Sequence, residues 1–160
     1  MEFLANCGPQ NAFLGATLAV ALACAGSGIG CGIVGETGTG VLSEDPSKFA
    51  SVLIMQIIPG TQGLYGLVIW FFALMKLGFF SGSIAVLTIE QGLAYFAACL
   101  PFGIGGLITA IAQGRCAATG VMLMAKRPEE MSKGIVMALI VEFYAVLCLL
   151  ASFLMLNTLG

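Results

Sequence analysis

The chain has 160 residues, 59% of them hydrophobic and only 9% charged, with a mean hydropathy of +1.05 and a formal net charge of −2. A soluble domain of this length needs far more charge to cover its surface, which argues against any separate soluble domain. So small a net charge also leaves no electrostatic footprint for nucleic acid or a strongly charged partner.

Four stretches are apolar and long enough to cross a bilayer, which takes about 20 helical residues. They run over 14–33, 49–75, 92–114 and 134–156. The expected fold is all-α, with four transmembrane helices that continue beyond the hydrocarbon, because the apolar periodicity runs on toward the connectors. No basic leader precedes the first span and no small-residue cleavage site follows it, so it reads as a retained helix. It carries Gly26, Gly28, Gly30, Gly32 and Gly35. This run lies mid-helix with no basic residue, and the chain has no GxxxxGK[ST] sequence, so nucleotide binding and hydrolysis are not expected of it. The connector 43–47 leads to the second span, with Pro59, Thr61, Gln62 and Tyr65 ahead of the bulky Trp70, Phe71 and Phe72. A mostly apolar link, 76–91, contains a Ser81-Gly82-Ser83 turn. The third span is again rich in small residues, among them Gly103, Gly105, Gly106, Ala110 and Gly114. After the connector 125–130, the fourth span holds Glu142 among bulky neighbours such as Phe143, Tyr144 and Phe153.

The second half repeats the first. Pro46 and Pro128 hold the same place in their connectors, an offset of 128 − 46 = 82. The same offset relates Gly32 to Gly114, Gly38 to Gly120, Met55 to Met137 and Phe71 to Phe153. The expected organisation is two tandem hairpins, 1–80 and 81–160, the second carrying the membrane-buried acid. Small residues let helices approach closely in lipid. Spans one and three are therefore expected on the tight inner circumference of a ring of identical subunits, with the bulkier spans two and four outside; an ordinary monomeric bundle is the alternative. The outer connectors carry Lys48, Lys126, Arg127 and Lys133, against Lys76 on the other side. This bias places the loops 43–47 and 125–132 in the cytoplasm and both termini outside.

Most charges, including Glu2, fall near chain ends or connectors; Glu36, Arg115 and Glu142 are the ones inside apolar segments. By the repeat, Arg115 aligns with Ile33, one turn from Glu36, and both are expected near the cytoplasmic ends, paired or snorkelling, with a part in ion entry as the alternative. The six cysteines form no CxxC pair and there is no histidine, so they read as small packing residues.

Glu142 has the most to explain, since a carboxylate deep in the membrane costs several kcal/mol unless neutralised or liganded. It lies about 14 residues past Pro128, or about 21 Å along the helix, too deep to snorkel easily. Thr61, Gln62 and Gln113 fall at nearly the same depth, and Tyr65 shares a helix face with Thr61. Pro59 disturbs the local ladder and can expose a carbonyl near Ile58. One carboxylate, a hydroxyl, two amide oxygens and a carbonyl make a singly charged oxygen cage suited to a hard monovalent cation. Na+ is expected over H+, which needs fewer oxygens, with H+ as the alternative.

The segments Pro59-Gly60-Thr61-Gln62-Gly63-Leu64-Tyr65-Gly66, Ile111-Ala112-Gln113-Gly114 and Val141-Glu142-Phe143-Tyr144 resemble the rotor-ring proteolipids of V-type ATPases, nearest to the bacterial sodium-transporting K-subunit type. The likeness covers nearly the whole chain, including the Lys126-Arg127-Pro128-Glu129 turn. It implies that Glu142 binds and releases the ion at each rotor step. It also implies that Thr61, Gln62, Gln113 and the Ile58 carbonyl coordinate Na+, and that Tyr65 donates a hydrogen bond to Glu142 to lock the site. Gly60 stands where the repeat would place a second acid, so one ion site per four helices is implied. The implied partners are identical subunits, a stator subunit with an arginine, a central-stalk subunit and membrane lipid. A small secondary transporter with one buried Glu, or a structural proteolipid, are the competing classes.

Overall fold

In a computed structural model that describes residues 7–159, helix dominates from end to end. Glu2 and the extreme chain ends lie outside the described residues. Helix α1 is Cys7–Glu44; α2, Phe49–Ile57, and α3, Thr61–Lys76, are joined by a 3-10 turn at Ile58–Gly60; α4 is Ile89–Lys126 and α5 is Met131–Thr158. These elements make four membrane-length spans, Cys7–Glu44, Pro46–Lys76, Ile89–Lys126 and Pro128–Thr158. Each predicted span lies inside one of them, and every span is longer than the roughly 20 residues that cross a bilayer.

The 82-residue offset recurs in the backbone. Helices α1 and α4 both have 38 residues, and their starts and ends differ by 89 − 7 and 126 − 44. The residues before the two connector prolines adopt the same conformation, Asp45 at φ −140°, ψ 89° and Arg127 at φ −141°, ψ 86°. Each proline then sits at the first position of a 3-10 turn, where its missing N–H costs nothing. Asp45 Oδ1 accepts from Ser47 N at 3.1 Å and Ser47 Oγ at 2.6 Å. The Ser47 hydroxyl, ahead of Lys48, holds the Asp45 carboxyl below its usual range. Arg127 has no oxygen for that role, and its turn has no side-chain cap. Lys48 Nζ ties the two connectors together by donating to the Ala125 carbonyl at 2.7 Å.

Helices α1 and α4 pack together along their lengths, because glycine lets one backbone lie on the other. A Cβ on Gly30 would stand 2.5 Å from the Ala110 carbonyl oxygen, one on Gly26 2.6 Å from that of Leu107, and one on Gly15 2.5 Å from the Phe96 Cα. Gly28, Gly32 and Gly40, on another side of α1, meet nothing within 4 Å. The glycines of the first span thus divide into a set used inside the subunit and a set left open. Large apolar side chains such as Leu64, Phe71, Phe143 and Leu154 point outward, the arrangement of a surface facing lipid.

At the end away from the proline connectors, Gly78 and Gly82 take left-handed conformations, φ 72° and 74°, and turn the chain toward α4. Thr88 and Gln91 form a reciprocal capping box there. Lys76 Nζ donates to the carbonyls of Leu156, Asn157 and Leu159 at 3.0, 3.0 and 2.7 Å, and the Tyr95 hydroxyl donates to Leu159 O at 3.1 Å. A cation on the orphan carbonyls of a helix C-terminus is favourable for both charge and hydrogen bonding.

Candidate ion-binding site

The break between α2 and α3 shapes one wall of the site. Pro59 has no N–H to continue the α-helical ladder, so the chain tightens into the Ile58–Gly60 3-10 turn. The Ile58 carbonyl accepts from Thr61 N and, at 3.0 Å, from Thr61 Oγ1. It is therefore turned toward Thr61 with both lone pairs engaged and is not left orphaned. Gly63 N, just beyond, donates to Ser27 Oγ of α1 at 2.8 Å, which fixes the start of α3 against the first span.

Across from this turn, Glu142 projects from α5 between α3 and α4. Tyr65 Oη donates to its Oε1 at 2.8 Å, and Gln113 Nε2 donates to its Oε2 at 3.3 Å. Two spans thus hold the two oxygens of one carboxylate. Gln113 Nε2 also donates to the Ala138 carbonyl at 3.2 Å, and its Oε1 accepts from Gln62 Nε2 at 2.6 Å. Gln62 Oε1 in turn faces the Thr61 hydroxyl at 3.4 Å. The result is one continuous chain of polar groups, Ile58–Thr61–Gln62–Gln113–Glu142–Tyr65. Gln62 and Gln113 are completely buried, whereas Glu142, Thr61 and Tyr65 are partly exposed at the outer face of the single subunit. The Tyr65 ring packs edge-on against buried Phe102 of α4, with centroids 6.3 Å apart, so its position is set by packing as well as by its hydroxyl.

All six residues singled out from the sequence meet at this one level. Sequence reasoning missed Ser27 and the Ala138 carbonyl. Ser27 could have been noticed as a hydroxyl within a glycine run, and Ala138 stands one helical turn before Glu142. The open depression next to the site, about 430 Å³ and lined by Val136, Leu139, Ile140, Phe143 and Tyr144, is apolar and offers no ligand to an ion.

Chemically, the arrangement holds one carboxylate between a hydroxyl and an amide donor, with the Ala138 carbonyl and the oxygens of Gln62 and Gln113 farther along the same chain of polar groups. Tyr65 and Gln113 orient the carboxylate by charge-assisted hydrogen bonds, and a single bound cation would cancel its charge.

Comparison with known proteins finds the same duplication. The family described as the C subunit of ATP synthase matches the chain twice, over residues 14–73 and 96–155. Over 144 residues the chain is 43% identical to the V-type sodium ATPase subunit K of Enterococcus hirae, covering 88% of each protein. It is 40% identical over 143 residues to the A-type ATP synthase subunit K of Methanocaldococcus jannaschii, covering 89% of this chain and 60% of that one. With both halves of the chain matched and the site assembled from both, the chain belongs to the family of ATP synthase C subunits, the rotor proteolipids of rotary ATPases.

Proposed function

We propose that this chain is a Na+-carrying subunit of a membrane rotor ring, and that Glu142 binds and releases the ion. As a proteolipid of rotary ATPases it is a non-hydrolytic, ion-translocating component. The observation that carries the ion assignment is the pair of hydrogen bonds to the two oxygens of Glu142, from Tyr65 on one span and Gln113 on another. They hold a charged group at a depth where it is costly, which makes sense if a cation occupies the place beside it.

Thr61, Gln62, Gln113 and the Ile58 carbonyl are the proposed further ligands, with Tyr65 as the lock. The amide nitrogens of Gln113 and Gln62 point along the polar chain toward Glu142 and Gln113 respectively. Rotating both amides together by half a turn presents the Gln113 oxygen to an ion beside Glu142 and keeps the two amides paired. Ile58 is available only if the Thr61 hydroxyl turns from its carbonyl to the ion. Na+ rewards this gathering of oxygens, whereas a proton on Glu142 needs none of it. The 43% identical relative, a sodium ATPase subunit by name, supports the same ion.

In the proposed cycle, a stator arginine displaces the ion as each Glu142 passes, and the ring is coupled through a central-stalk subunit to a separate ATP-hydrolysing head. Residues 1–80 and 81–160 act as two hairpins of which the second carries the acid. The loops 43–47 and 125–132 are assigned to the cytoplasm and the chain ends to the opposite side.

The test is ATP-driven uptake of radioactive sodium into vesicles holding the assembled complex. Glu142→Gln keeps the side-chain size but removes the balancing charge, so uptake should cease while the protein is still inserted. Retained sodium uptake in the variant would remove Glu142 from the role. Uptake of protons that needs no sodium in the parent would make H+ the ion.

A further inference from the structure

Glu36 of α1 and Arg115 of α4 are exposed, and neither has a charged partner among the described residues of the subunit. The ion pairs among those residues are Asp45–Lys48 and Glu130–Lys133, both at or next to the proline connectors. Both orphan charges lie on helix faces lined by small or open positions. On α1 the line is Ala21, Ala25, Gly28, Gly32 and Glu36; on α4 it is Ala97, Ile108, Ala112, Arg115 and Thr119, and all of these are exposed.

The internal repeat indicates what fits those faces. Inside the subunit, Gly15 meets Phe96, Gly26 meets Leu107, and Gly30 meets Ala110 and Gly114. Adding 82 to each α1 residue and subtracting 82 from each α4 residue gives the contact that α4 of one copy would make with α1 of the next, if a ring continues the same packing. The pairs become Ala97 with Leu14, Ile108 with Ala25, and Ala112 with Gly28 and Gly32. Every one of these residues is exposed in the single subunit, and Gly28 and Gly32 have open space around them. The same arithmetic maps Arg115 to Ile33 and Glu36 to Ala118. Ile33 packs against the buried cluster that contains Ala118.

We propose that Arg115 of each copy pairs with Glu36 of the next, in an interface whose register repeats the α1–α4 packing within the subunit. The proposal rests on the ring reading above and adds which faces meet and which charges join. In the first interface the pair of positions is apolar, Ile33 and Ala118; in the second it is ionic, so the two contacts of α1 are distinguished by charge as well as by shape. A wrongly placed copy would leave each charge without its partner, which favours a single register.

Three measurements on the full-length protein in mild detergent decide it. Native mass spectrometry of the parent gives the assembly state, and oxidation of the Glu36→Cys/Arg115→Cys double variant gives the neighbours. A ladder of multiples of the subunit on denaturing gels is expected, above the background that the six native cysteines give in the parent and in each single substitution. The reversed charges Glu36→Arg and Arg115→Glu, made singly, should each weaken subunit association by about fivefold per interface, the scale of an exposed ion pair. The combined reversal should restore it. A parent ring in which cross-links stay within one subunit or do not form, or in which the combined reversal rescues nothing, overturns the pairing and leaves the ring intact. A parent that remains a single subunit overturns the ring reading and the pairing with it.

Discussion

The hydroxyl of Tyr65 on the second span donates to Oε1 of Glu142 on the fourth at 2.8 Å, joining residues 77 positions apart across the two halves of the chain. Its ring is independently held against Phe102, so the hydroxyl can be removed without displacing the aromatic body. A hydrogen bond to a charged group is worth about 1.5–3 kcal/mol. Tyr65→Phe should therefore loosen bound Na+ by about tenfold or more, at 1.4 kcal/mol per decade, and quicken its exchange. Retention of radioactive sodium on purified protein measures both quantities; parent-like values would leave Tyr65 as a packing residue.

Gln113 and Thr61 should differ in the damage their loss causes. Gln113→Ala strips a donor from Glu142 and a partner from buried Gln62, and leaves the Ala138 carbonyl short of a bond. Each buried polar group left unsatisfied costs about 1–3 kcal/mol. Thr61→Ala loses one hydroxyl that already has a local acceptor in Ile58. Both variants should raise the Na+ concentration needed to occupy the site, Gln113→Ala by far more. Titration calorimetry of Na+ on the two purified variants and the parent reads the difference.

Much of this architecture was legible in the residues. Span length, the two proline connectors and the depth of Glu142 each follow from spacing along a helix whose rise is fixed, so Thr61, Gln62, Gln113 and Glu142 could be placed at one level. Which face each side chain takes depends on how the helices rotate against one another, and that is decided by packing. The division of the α1 glycines is the clearest case: Gly28 and Gly30 look alike in sequence, yet one is open and the other lies on the Ala110 carbonyl. The Ser27 bond to Gly63 N carried a weaker signal, because a backbone donor has no side-chain signature and Ser27 stands 36 positions from its partner.

That division gives a paired test. At Gly30 an added methyl would strike the Ala110 carbonyl, and overpacking of this kind costs about 1–3 kcal/mol. At Gly28 the methyl enters open space, and alanine should gain about 0.5–1 kcal/mol of helix stability. Unfolding of the dissociated subunit by titration with a denaturing detergent, followed by circular dichroism, should place Gly30→Ala below the parent and Gly28→Ala at or above it. Equal effects at the two positions would mean that α1 and α4 do not pack in this register.

Lys76 is the clasp at the other end of the molecule. Lys76→Met keeps much of the apolar stem but removes the donor to three carbonyls near the end of α5. The expected cost is about 1–3 kcal/mol, concentrated in the last turn of α5. Hydrogen exchange should quicken around 155–159 and stay unchanged around Glu142, some three turns or more away. Faster exchange spread through the whole fourth span would show that the clasp holds more than the helix end.

The most direct measurement of the central claim is labelling of Glu142 by a carboxyl-reactive carbodiimide, with and without Na+, located by mass spectrometry of the digested protein. A bound cation keeps the carboxylate ionised and enclosed, and carbodiimides react through the protonated acid. Labelling at Glu142 should therefore be strong without Na+ and suppressed as Na+ is added, with K+ at the same ionic strength giving no protection. Labelling that is unaffected by Na+, or that falls on other carboxylates and spares Glu142, would contradict the assignment of this residue as the Na+ carrier.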